Sequence, residues 1–232
     1  MHFHLPKPLH GWREFAGEVG IIVLGVLIAL ALGQLAQSLH DRWSAEEARQ
    51  AIRAEVSENL WWLEIRRNYE PCIDRMITEL GSVLARARSG EPTPLITNVH
   101  FPVHSKMTSL RWDANAQAGR ASLFSEQELR MLGNMYFTTG EYWDSQEQEE
   151  AVWAKIGFVE GLRHFTPNDI HDLGVLLSEA RYRDMRASLD VERGRQWAAR
   201  LHLTAANPDS VERIRLSGAP VCRSLTGPPT SE

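Results

Sequence analysis

The fifteen residues Val19–Gly33, VGIIVLGVLIALALG, carry no charge, and they restrict the chain to very few architectures. A helix apolar on every side belongs either in lipid or deep inside a large core. A hydrocarbon layer of ~30 Å takes about 20 helical residues, a length reached when Phe15–Ala16 and Leu35–Leu39 extend the run. Residues 19–39 are therefore read as a transmembrane helix. Trp12 and Trp43 flank it, roughly 46 Å apart at 1.5 Å per residue, close to the ~40–45 Å of a bilayer with its headgroups; both are expected as membrane-interface anchors. Two other readings compete, a buried core helix and a cleaved signal peptide, the latter because Ala29-Leu30-Ala31 resembles a small-residue cleavage site. Against cleavage, the leading segment has only Lys7 and Arg13 as fixed positive charges and sets Glu14 and Glu18 at the apolar edge. An uncleaved anchor is expected.

Within the span Gly25, Ala29 and Gly33 recur every four residues, and Gln37 continues that face. Small side chains at this spacing let another helix approach closely, and a buried amide gains ~0.6–2 kcal/mol from a partner in lipid. The face is expected to pack against a second copy of the chain or another membrane protein. The plainer alternative is that Gly and Ala are simply frequent in membrane helices.

With 232 residues and 43% apolar content, the chain has room for this anchor and one soluble domain of ordinary size. The longest later apolar run, Leu173–Leu177, is far too short to span, so a single-pass protein is expected. Net charge is −5, and residues 1–39 hold two basic and two acidic side chains, so the acidic excess lies entirely after the anchor. That argues against a nucleic-acid partner, which requires a basic face. Lys7 and Arg13 before the span against Arg42, Arg49 and Arg53 after it leave the positive-inside count undecided. A short leading tail favours a cytoplasmic amino terminus, and so does the cysteine usage. Cys72 and Cys222 are the only cysteines and lie far apart, unlike zinc or thioredoxin-type pairs. In an exported domain they read as a disulfide; the alternative is two unpaired buried thiols in the cytosol.

Leu5-Pro-Lys-Pro-Leu-His-Gly-Trp-Arg-Glu-Phe, followed by Gly17-Glu-Val-Gly-Ile-Ile-Val-Leu-Gly-Val-Leu-Ile-Ala-Leu, resembles the opening of a group of uncharacterised proteobacterial proteins. It is similar, more loosely, to a bacterial family of unknown function whose members begin with an E-[IV]-x-[LIV]-V-x-[LIV]-G-[IV]-L-I-A-L membrane segment and continue into a charged helix. The resemblance covers residues 5–39 well and the following helix weakly. It implies a small membrane-anchored protein and carries over no catalytic residue.

Taken in order, residues 1–18 form a cytoplasmic tail and interfacial turn, in which His2 and His4 are too few and too mobile for a metal site. From Ser38 the pattern becomes amphipathic. Ile52, Val56, Leu60 and Leu63, then Ile65, Tyr69, Ile73, Met76, Leu80 and Leu84, mark one apolar face, so the span is expected to run on into the first helix of the domain, with a kink or restart at Pro71. Of the adjacent Trp61 and Trp62, one is expected in the core and the other in a groove or interface. Prolines in Gly90–Pro102 end the helix. His100 and His104 have ligand spacing, but Pro102 between them argues against a shared helix face. Ser109–Leu123 reads as a short helix. Ser125-Glu126-Gln127-Glu128 is a capping box that opens another, with an interruption expected at Thr138-Thr139-Gly140. The acidic run Glu147–Glu150 is read as a solvated face rather than a catalytic pair. Thr166-Pro167-Asn168-Asp169 starts a last helix to about Leu203, with Ile170, Leu173, Leu177 and Ala180 inward, then Met185, Leu189, Trp197 and Leu201. Its arginines are mixed with acids as on a salt-bridged surface; Arg181-Tyr182-Arg183 is a weak phosphate candidate. Residues 226–232 are expected to be disordered.

The expected fold is all-α, one membrane helix continuing into a bundle of about four helices over residues 40–225 outside the cytoplasm, on the periplasmic side of a bacterial inner membrane. No phosphate loop, nucleophile elbow or metal cluster is visible, so no catalytic residue, metal or cofactor is assigned and an enzyme is not expected. A structural or interaction protein is favoured; a sensory or regulatory ligand-binding module acting with a partner is the alternative.

Overall fold

From Gly11 the backbone turns as one helix for 78 residues, α1 (Gly11–Arg88), in a computed structural model that describes residues 11–102, 105–207, 210 and 220–226. The helices α2 (Leu110–Gln117), α3 (Glu126–Ile156) and α4 (Pro167–Arg200) follow, with 3-10 turns at Arg120–Leu123, Gly157–Val159 and Pro220–Cys222. No strand occurs among the described residues. The fold is all-α, a long apolar helix followed by a helical bundle.

Gly11–Glu18, expected as an interfacial turn, are already helical, and α1 also runs through Pro71 without a restart. Proline lacks the amide a helix interior needs and crowds the preceding turn. Pro71 lies on the exposed side of α1, away from the packed face.

Every predicted face residue of α1 from Ile52 to Leu84 is buried. Fully covering one such Leu or Ile contributes about 1.5–3 kcal/mol, and the stripe continues for nine turns or so at 3.6 residues each. α3 lies parallel to α1, because Arg49 meets Glu128 at 2.9 Å, the Tyr136 hydroxyl donates to Glu55 at 2.6 Å, and Arg66 meets Glu149 at 3.0 Å. α4 returns antiparallel: Glu64 accepts from Arg195 at 2.7 Å and Glu70 from the Ser188 hydroxyl at 2.5 Å. At the crossing of α1 and α4, Gly194 faces Leu63 so closely that a β-carbon there would collide with the leucine side chain.

Two hydrophobic clusters result. One gathers around Ile52, Val56, Leu132, Met135 and Val191, nearer the apolar end of α1; the other gathers around Ile73, Leu80, Trp153, Ile156 and Leu173 at the far end. Trp61 and Trp62 stack edge to face, 4.6 Å between centroids, and both are half-buried against the far cluster. Trp61 also donates to the Ser210 hydroxyl at 2.9 Å.

Several expectations need correction. Ser109–Leu123 is not one helix: α2 stops at Gln117, and Gly119, at φ 74°, takes the left-handed turn into the 3-10 segment that glycine adopts without strain. The Ser125 hydroxyl caps the Glu128 amide as expected, but the Glu128 carboxylate reaches across to Arg49 instead of back to its own helix start. Thr138-Thr139-Gly140 does not interrupt α3; both threonines are buried and the helix is continuous to Ile156. Thr166 and Asp169 do form the reciprocal cap, with Pro167 in the first turn.

α4 ends at Arg200 rather than near Leu203, and Met185 and Leu189, expected inward, are 52% and 46% exposed. The buried positions are Leu173, Leu177, Ala180, Asp184, Ala187, Asp190, Val191, Gly194 and Ala198; apart from Asp190, which pairs with Arg193 at 3.2 Å, they step by four and three in turn, and past Leu177 all but Val191 are small or polar. Reading for large apolar side chains put the later turns out of phase.

Candidate functional site

The apolar half of α1 is the first candidate. From Phe15 to His40 every side chain is exposed, and no described residue folds against it. The helix is long and apolar enough to cross a membrane. Trp12 and Trp43, at 78% and 84% exposure, project freely at its two ends. Gly25, Ala29, Gly33 and Gln37 share one face, and a β-carbon added at Gly25 or Gly33 would meet no atom within 4 Å, so this face is open to a neighbouring helix. Gln37 is less available than the sequence suggests, since its side-chain amide donates to Asp41, one turn on, at 2.8 Å.

The second is the junction between α1 and the carboxyl-terminal segment. Cys72 and Cys222 form a disulfide across a sequence separation of 150, with α-carbons 4.8 Å apart. The surrounding groups reinforce it: Arg75 donates to the Cys222 carbonyl, Glu79 accepts from the Leu225 amide at 2.9 Å, and the Thr97 amide donates to the Leu225 carbonyl at 2.9 Å. Val221 and Leu225 are buried in the far cluster. The alternative of two unpaired thiols does not hold in this structure.

The third was not legible in advance. Arg66, 2% exposed, lies between the two hydrophobic clusters and bonds Glu149 of α3 at 3.0 Å and Asp184 of α4 at 2.8 Å. Burial alone lowers the Arg66 pKa, but Glu149, Tyr142 and Asp184 around it outweigh that and hold it above its ordinary value. Burial raises both carboxylates against the opposing pull of Arg66, and it pushes the Tyr142 hydroxyl up to about 12. Two carboxylates against one guanidinium leave the cluster one negative charge in excess when fully ionised. Glu149 therefore corrects the reading of Glu147–Glu150 as a wet face: one member of that run is a central buried residue. A signal was present, because Arg66 falls three residues after Leu63 and three before Tyr69, where the stripe of α1 calls for an apolar side chain.

Glu55, 1% exposed, is a further buried acid that sequence reading passed over. It accepts from the backbone amides of Arg111 and Trp112 at 2.7 and 3.1 Å, satisfying free donors at the start of α2 from another helix. It also raises the Tyr136 pKa, adding to the larger effect of burial.

His100 is half-buried and its pKa is lowered, first by burial and then by nearby Arg223, opposed by Glu160. His2, His4 and His104 lie outside the described residues. Among those described, no group of three or more His, Cys, Asp and Glu is placed to hold a metal. Arg183 donates to Gln148 and pairs with Glu179 at 3.3 Å, which reduces its availability for a phosphate. Arg195 pairs with Glu64 and Glu192, so this part of α4 is the ion-paired surface its composition suggests.

No known protein family, curated protein or solved structure matches the chain.

Proposed function

We propose that the chain is a single-pass protein of a bacterial inner membrane, with its amino terminus in the cytoplasm and its helical domain in the periplasm. On this reading it is a structural or interaction protein, joined through its membrane helix to a second copy or another membrane protein and presenting the bundle to a periplasmic partner. The observation that carries the reading is the continuity of α1: one helix is bare from Phe15 to Leu39, with no charge past Glu18, and, without a break, becomes the spine of a disulfide-closed domain. Bare apolar surface of that extent needs lipid around it. A disulfide between distant cysteines supports an oxidising compartment, and so an exported domain.

The open face at Gly25, Ala29 and Gly33 supports association within the membrane. Purification of the full chain in mild detergent should yield a homo-oligomer or a stoichiometric partner. Gly25→Leu or Gly33→Leu should dissociate that complex while leaving the disulfide-closed bundle folded. A monomer in mild detergent, with neither substitution changing what co-purifies, sinks the proposal.

A further inference from the structure

Leu123 is an exposed leucine in the 3-10 turn Arg120–Leu123, at the end of the bundle from which the apolar half of α1 emerges. We infer that this turn is a membrane foot, seated with Trp43 in the lipid headgroup layer of the same bilayer that α1 crosses. The inference rests on the membrane-anchor reading above and adds a second contact to it.

Height along α1 carries the argument. α2 starts beside Glu55, which holds the Arg111 amide. The chain then travels back along α1 toward its apolar half. Leu123 ends up lining a shallow groove with Asp41, Arg42, Ala45, Glu46 and Arg49. Those α1 residues lie two to ten positions past Leu39, about 3–15 Å beyond the end of the apolar run at 1.5 Å per residue. The headgroup layer on one side of a bilayer is roughly 5–7.5 Å thick, half the difference between the ~30 Å core and the ~40–45 Å total. The groove that Leu123 lines thus begins at headgroup height and opens toward the water.

The bundle has no slack with which to stand clear. Ala45 and Ala48 are already buried, so packing begins within about nine residues of Leu39, and the link between is helix rather than flexible linker. At the same height Trp43 is 84% exposed, an amphipathic indole of the kind that settles at the membrane surface. The local charges, Asp41, Glu46, Glu47 and Glu128 against Arg42, Arg49 and the turn's own Arg120, carry no basic excess. Attachment is therefore apolar and aromatic and does not depend on anionic lipid.

The test uses the full chain, its disulfide intact, in phosphatidylcholine nanodiscs, with single cysteines carrying an environment-sensitive fluorophore. Leu123→Cys is the probe, Ser122→Cys repeats it at an exposed neighbour in the same turn, and Leu27→Cys reports the span. Phe137→Cys is the water-facing control; Phe137 is 68% exposed and about 18 Å farther up the bundle, twelve residues along α3 from Ser125. Emission at 123 or 122 should be blue-shifted relative to 137 and quenched by a nitroxide on the lipid headgroup. It should persist when the lipid is made partly anionic or salt is raised. If 27 is quenched by a deep nitroxide while 122 and 123 behave like 137, the foot is wrong and the anchor stands. If 27 also behaves like 137, the anchor fails and the foot with it. A blue shift at 123 without quenching means that protein covers the turn, which overturns the inference as well.

Discussion

Between Phe15 and Leu39, α1 turns leucine, isoleucine and valine outward on every side; between Ala45 and Leu84 the same helix buries its apolar residues and takes Glu55, Asn59 and Arg66 inside with them. The backbone hydrogen bonding is alike in both halves, so the difference lies in the solvent each was built for. In the bare half, surface is matched to lipid and no neighbour decides any position. In the covered half the buried positions are matched to particular groups on α2, α3, α4 and the loops between them, and a charge is tolerated because two carboxylates reach it. Hydropathy reports the first kind of match and is blind to the second.

Removing what ties the covered half together should have the largest effects. Replacing both cysteines by serine frees the carboxyl-terminal segment from α1; in the chain-entropy model a 150-residue closure contributes up to about 5 kcal/mol, read as a lower denaturant midpoint for the full chain in detergent. Arg66→Met comes next. It leaves Glu149 and Asp184 facing each other without a cation, and breaking a buried pair in this way costs about 3–5 kcal/mol. Adding Glu149→Gln and Asp184→Asn to Arg66→Met should restore much of that loss, since the penalty comes from stranded charge rather than lost volume. Equal destabilisation in the single and triple variants would show that the cluster's charges are not what matters.

A pair of glycine substitutions tests the comparison directly. Gly194→Ala drives a methyl into Leu63, and overpacking of this sort costs about 1–3 kcal/mol. Gly33→Ala places the same methyl where no atom lies within 4 Å, so unfolding of the bundle should not change. Should Gly33→Ala lower the denaturant midpoint of the domain, the two halves of α1 are not energetically separate.

What could be read in advance follows the same division. The membrane-length run, the helical class and the face of α1 depend on periodicity and composition, which a single sequence displays. The Thr166–Asp169 cap depends on four consecutive residues and was equally plain. Asp184 and Glu149 could not be read, because each is buried by virtue of Arg66, more than eighty positions away. For the same reason the core register of α4 was misjudged: Ala187 and Gly194 are small where α1 comes close, and Met185 and Leu189 are the larger apolar side chains facing out. The small-residue face of the span stands apart. The structure shows it open, and only an association measurement can show it used.

The smallest expected effect is on pH dependence, and its sign follows from the cluster. Glu149 and Asp184 both titrate above the ordinary carboxylate range, chiefly because burial penalises their charged forms. The folded state therefore holds protons that the unfolded chain releases. The stability this contributes is fully present below the unfolded carboxylate pKa and is lost as pH rises through the folded one. Exposed acids act in the opposite direction. Asp169 is held low by the Thr166 hydroxyl and amide, and Glu192 by Gln196 and Arg195, so their contributions are present above the unfolded pKa and lost on acidification. These cancel when the parent chain is compared with Glu149→Gln, which keeps Asp169 and Glu192 and leaves Arg66 paired with Asp184 alone. As pH rises above the ordinary carboxylate range the variant should gain stability relative to the parent, because it lacks the carboxylate that must ionise inside the bundle. Parallel unfolding profiles for the two proteins would mean that Glu149 titrates as it does in water, and the excess negative charge assigned to the cluster would have to be neutralised by some group other than a proton on its carboxylates.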